Sequence, residues 1–153
     1  MSNTILKILA SLGLAVILNG LEYFLKSDFL STFIEEDLVG LLLTLLAINT
    51  ATSTVISSKL EDIAQRTGAD FSDVVKEIKF SLIEQIVMII LSIILLISLK
   101  SSFLLQSIDH IGFVINLALS TILIYSIEIL RDTGVTIFDI IIELNKKDDG
   151  EEE

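Results

Sequence analysis

The chain predicts an all-α, polytopic membrane protein: four transmembrane helices, both termini cytoplasmic, and a cytoplasmic helical hairpin extending spans two and three. Three observations carry this. Hydrophobic residues make up 52% of the 153 residues, with a mean hydropathy of +0.80, above what a soluble domain of this size carries. Four apolar runs reach the roughly 20 residues that a helix needs to cross a hydrocarbon core. Proline is absent, so no run is broken from within.

The first span covers 5–25. It begins like a signal peptide, but no small-x-small cleavage site follows "LAVILNGLEYF", so it is read as a retained helix. Asn19 and Glu22 fall toward its outer end. The second span, 38–58, opens with Glu35, Glu36 and Asp37 just before it, an acidic mouth. It then places Asn49, Thr50, Ser53, Thr54, Ser57 and Ser58 within its apolar length. At 100° per residue Asn49, Ser53 and Ser57 form one stripe and Thr50, Thr54 and Ser58 the next, with Ile48, Val55 and Ile56 read as the opposite side. Serine and threonine hydroxyls can bond back to their own helix. Asn49 needs an external partner, either a neighbouring helix or water. Asn49, Thr50, Ser53, Thr54 and Ser57 are therefore candidates both for close helix packing and for lining a pore between copies of the chain.

The third span covers 80–99 and the fourth 111–130. Glu84 and Gln85 fall near the inner end of the third, and Glu128 near that of the fourth. Carboxylates inside spans are costly, and these are candidates for an inner cation-attracting ring. Pairing with Lys79 and Arg131 is the preferred reading, Glu128 and Arg131 having the i,i+3 spacing of a helix pair. Asn116 lies at the depth of Asn19 and is its expected hydrogen-bond partner.

Lys59, Arg66, Lys76 and Lys79 lie between spans two and three, and Arg131, Lys146 and Lys147 follow span four, while the other two loops hold only Lys26 and Lys100. The positive-inside rule then puts the termini and the second loop in the cytoplasm. Most of that loop, 59–79, reads as helix. The second span continues through Leu60 and Ile63 to Gly68, which suits a helix C′ position, and Asp70 or Ser72 can cap the helix that enters span three. Each helix should run about 30 residues, near 45 Å at 1.5 Å per residue, and the hairpin should project beyond the membrane by two to three turns. Its apolar residues Leu60, Ile63, Val74 and Ile78 are candidates for binding a soluble partner. The short link "KSSFLLQSIDH" reads as an outer turn. The transmembrane domain is taken as 1–134, with Gly134 as a break before a C-terminal amphipathic helix and an acidic tail over 135–153.

The net charge of −11 argues against nucleic acid, which needs clustered cations. With no cysteine and one histidine, His110, the chain offers no thiol chemistry, no two-histidine metal site and no Ser-His pair. No enzyme, metal or cofactor is expected. The expected partners are the lipid bilayer, further copies of the chain and a soluble cytoplasmic protein.

This layout, with its charged hairpin "SSKLEDIAQRTGADFSDVVKEIK" between spans two and three, resembles the small four-helix membrane proteins of anti-phage systems, namely RexB-like proteins and the membrane subunit of the Kiwa system. The resemblance covers the whole chain as architecture and rests on no motif, so it assigns no residue a role. This chain is more acidic and its apolar runs are longer. The resemblance implies either an ion channel that depolarises the membrane or a membrane sensor coupled to a soluble effector.

Overall fold

The structure, a computed structural model, describes residues 2–68, 70–102 and 110–148, with side chains described for 4–65, 68, 70–102 and 110–135. It is all-α, with α1 Ser2–Leu25, α2 Phe29–Glu36, α3 Leu38–Thr67, α4 Ser72–Leu99 and α5 Ile111–Asp148. Stretches of α1, α3, α4 and α5 are each long and apolar enough to cross a membrane. Residues such as Ile17, Phe80, Ile90 and Ile97 are more than half exposed on the outside of the bundle. Such a surface is stable only in an apolar solvent, and the chain is a multi-pass membrane protein.

Helix ends follow local chemistry. Gly68 terminates α3 in the left-handed region (φ 70°), its N–H donating to the Ala64 carbonyl at 2.8 Å, as its position in the sequence predicts. The Asp70 carboxylate accepts from the Ser72 N–H at 2.9 Å and so orders the start of α4. These contacts hold the carboxyl of Asp70 below the usual aspartate range, the backbone N–H of Ser72 contributing most. At the end of α1 the same left-handed conformation falls on Lys26 (φ 52°), where the Ser27 N–H reaches the Glu22 carbonyl at 3.0 Å. That is a Schellman closure made without glycine. Helices α3 and α4 span 30 and 28 residues, the lengths expected for a hairpin projecting past the spans. The expected break at Gly134 does not occur, and α5 runs through it for 38 residues. One helical glycine costs only about 1 kcal/mol, which continuous backbone bonding outweighs. The link at 103–109 and the tail at 149–153 lie outside the described residues.

Helix α2 falls in a segment with no assigned element. Its Ile34 is fully buried beside Leu38, and its first turn receives the Glu22 carboxylate, which accepts from the Ser31 N–H at 2.9 Å and the Ser31 hydroxyl at 3.0 Å. An acidic group is favourable at that end of a helix because the first N–H groups lack intrahelical partners.

Helix α5 is the hub, packing on each of the other four, while α3 and α4 also pack on one another. Helix α1 rests mainly on α5, along Ser11, Ala15 and Asn19, which recur every four residues and are all buried. Small side chains at that spacing let two backbones approach closely. Asn19 donates to the Ser120 hydroxyl at 2.9 Å, not to Asn116. Asn116 is one turn nearer the helix start, and its carbonyl instead accepts from Ser120 at 2.8 Å.

The two ends of the bundle differ. At the end carrying α2, the far end, Ile34, Leu38, Leu42, Leu45, Ile89 and Leu119 form one apolar cluster, with the buried Ser92 and Ser120 between its residues along α4 and α5. At the hairpin end a second, small cluster of Ile56, Leu60 and Ile78, flanked by Phe71 and Val74, joins α3 to α4. Between the two clusters the bundle interior is polar.

Candidate functional site

The polar interior begins near the middle of α3. Asn49 is fully buried and donates to the Gln85 side-chain carbonyl of α4 at 2.9 Å and to the Ser81 hydroxyl at 3.3 Å. Its partner is thus a helix of the same chain. Ser81 in turn lies 3.3 Å from the Thr133 hydroxyl of α5, which donates to the Ile129 carbonyl. Asn49 Oδ1, Gln85 Nε2 and Ser53 Oγ have no hydrogen-bond partner among the described residues. Buried polar atoms without partners are uncommon in folded proteins, and three of them come from this stretch of α3 and the facing α4.

From Ser81 and Thr133 a cleft of about 700 Å³ opens toward the hairpin end, between α1 and α4 and over α5. Glu84 and Tyr125 face each other in it, the Tyr125 hydroxyl donating to the Glu84 carboxylate at 2.6 Å. Measured from the far ends of their helices, Leu99 and Ile111, both residues lie about 21–22 Å deep at 1.5 Å per residue. Glu84 falls within the stretch Ser72–Leu99, which is long and apolar enough to cross a membrane. Closer to the mouth, Lys7 of α1 pairs with Asp132 and Arg131 pairs with Glu128. The pairing of Glu128 expected from its i,i+3 spacing is therefore present.

Glu84 is different. The expected pairing with a neighbouring cation is absent: Lys79 is exposed, and no described cation lies within ion-pair distance of Glu84. Its neighbour on the helix surface is Tyr125, which lies 41 residues on and is brought in only by the packing of α4 on α5. Lys79, five residues earlier in α4, projects outward.

The remaining candidates separate by face. On α3 the buried stripe is Asn49, Ser53, Ile56 and Leu60, so Ile56 lies with Asn49 and not opposite it. Seven residues are two turns less 20°. Ser57 is half-buried, while Thr50 and Thr54 point to the outside of the bundle, their hydroxyls donating to the Leu46 and Thr50 carbonyls at 2.7 and 2.8 Å. Of the acidic mouth, Glu35 pairs with Lys100 at the end of α4, whereas Glu36 and Asp37 are exposed. Of the four apolar hairpin residues, Leu60 and Ile78 are buried against each other, Val74 is packed against them and Ile63 is half-buried. Their apolar surface closes the hairpin.

Two site residues had no distinguishing signal in the sequence. Tyr125 sits in an apolar run where a tyrosine reads as core, and Lys7 sits at the start of a span where a lysine reads as topology. Their depths, matched to Glu84 and Asp132, were the available clue. No family model, curated protein or solved structure matches the chain.

Proposed function

We propose that this multi-pass membrane protein conducts cations, which enter from the cytoplasm through the hairpin-end cleft and reach Glu84. The basic residues around the hairpin support a cytoplasmic location for that end by the positive-inside rule. The observation that carries the reading is Glu84, a carboxylate inside the span with a neutral donor and no described counter-ion, at the base of an open cleft. An intramembrane ionisable group of this kind is a functional-site candidate by default, and ion pathways are one of its recurrent uses. The path continues through Ser81 to Asn49 and Gln85 and then meets the apolar cluster around Leu42, Ile89 and Leu119. A hydrophobic constriction of that sort closes a path by excluding water. Opening it would depolarise the membrane, one of the two activities implied by the resemblance to anti-phage membrane proteins.

Proteoliposomes with a potassium gradient test this. Leu119→Ser, which puts a hydroxyl in the apolar cluster, is expected to raise potassium flux. Glu84→Gln in that background is expected to lower it by at least about tenfold, the worth of one charge-assisted contact. If both the native chain and Leu119→Ser are silent, the proposal fails.

A second reading keeps the path between copies of the chain. It is favoured by the outward-facing Thr50 and Thr54, which would line a shared axis. A conducting monomer supports the first reading, and a ring with α3 on its axis supports the second.

A further inference from the structure

We infer that the hairpin-end cleft is a binding site for an amphipathic monocation, a primary ammonium group on an apolar body, with Glu84 receiving the charge. This goes beyond cation conduction and stands or falls separately from it.

The charges in and around the cleft identify the residue. Among the described residues Lys7 is matched by Asp132, Arg131 by Glu128 and Lys76 by Asp73; of the two other carboxylates lining the cleft, Glu77 is exposed to solvent, whereas Glu84 is half-buried with one neutral donor, the Tyr125 hydroxyl. A carboxylate has about four acceptor positions, so one tyrosine leaves most of them open. An ammonium group brings three donors and the missing positive charge. Beside the carboxylate, the hydroxyls of Ser81 and Thr133 line the same cleft and provide further acceptors.

Size and walls then identify the class of ligand. About 700 Å³ lies within the range of roughly 300–1,000 Å³ typical of sites for organic molecules. A bare divalent metal ion would need a close shell of oxygen ligands, and no group of three or more such residues comes together among the described residues. Charged residues line much of the cleft, Lys7, Lys76, Glu77, Glu128 and Asp132 among them, and the apolar part of the wall is formed by Ile56, Ile78 and Ile129. One charged end and one apolar body fit that arrangement. The ammonium can come from a soluble amine or from the headgroup of an amine lipid in the adjacent leaflet, because the cleft lies between α1 and α4 on the side of the bundle.

The full chain in phosphatidylglycerol nanodiscs, probed with octylammonium against protein-free discs, tests the inference. One saturable site is expected. The neutral probe 1-octanol, with the same chain length, should bind at least about tenfold more weakly, and Glu84→Gln should weaken octylammonium by a similar factor. Glu36→Gln, at the exposed far end, should leave binding unchanged. Replacing part of the phosphatidylglycerol with phosphatidylethanolamine separates the sources: displacement of octylammonium identifies the lipid headgroup, and undiminished binding identifies a soluble amine. Absence of a saturable site, equal binding of 1-octanol, or Glu84→Gln binding like the native chain would each overturn the inference. If Glu84→Gln does not fold, the comparison of the two probes on the native chain decides alone. Binding without potassium flux would retain this site and reject the conduction proposal, and flux without binding would do the reverse.

Discussion

Replacing Asn49 by leucine isolates the contact that joins α3 to α4 at mid-depth. The substitution removes a 2.9 Å bond to Gln85 and a 3.3 Å bond to Ser81, both from the same nitrogen. Interhelical hydrogen bonds in membranes contribute about 0.6 kcal/mol on average and up to about 1.7. The Gln85 side chain, only 2% exposed, would lose its one donor, and a stranded buried polar group costs about 1–3 kcal/mol. Together these predict a loss of about 2 kcal/mol for Asn49→Leu, and a loss of about that size for Gln85→Leu, which leaves the buried Asn49 only its longer bond to Ser81. The double variant strands neither amide and faces two apolar side chains in an apolar solvent. It should therefore lose only about as much as one single variant, a coupling of about 2 kcal/mol. Unfolding in mixed detergent–SDS micelles measures all three. Additive losses would refute the reasoning, because they would mean that the two amides do not depend on each other.

Lys26→Gly should stabilise the chain by about 1 kcal/mol in the same assay, since a side chain in the left-handed region costs roughly 1–2 kcal/mol and the Schellman bonds need only backbone. The start of α4 should be sensitive to acid. Because the folded carboxyl of Asp70 titrates below its unfolded value, its contribution is fully present above about pH 4 and is lost as pH falls through the lower folded value. Hydrogen exchange at the Ser72 amide, corrected for intrinsic rate, should accelerate over that acid window in the native chain. In Asp70→Asn it should show no such step.

Much of the architecture was legible because hydropathy and helix length are local properties. The hairpin is an example: Gly68 and Asp70 announce the turn through their own backbone and side-chain chemistry, independently of what the helices later touch. Helix α2 was missed because eight residues carry too weak a periodic signal, and because its N-terminus is stabilised by Glu22 from another helix. Gly134 was overread as a break, its local cost being small against an otherwise unbroken 38-residue helix. On α3 the polar residues were correctly seen as one-sided, but a stripe has a neighbour on each side. Only packing decides that Asn49 and Ser53 turn inward while Thr50 and Thr54 turn out.

By itself the sequence determined that this chain crosses a membrane with four helices, because apolar length and missing backbone partners leave lipid-embedded segments no other form. It also marked Asn49 as a residue in need of a partner and Glu84 as a charge in a costly place. Tertiary structure alone decided that Asn49 finds Gln85 inside the same bundle, whereas Glu84 finds a tyrosine and no cation among the described residues. The physical reason is that those partners come from other helices. Which faces meet depends on small side chains such as Ser11, Ala15 and Ser120 allowing close approach, and that is a property of pairs of helices that no single helix displays.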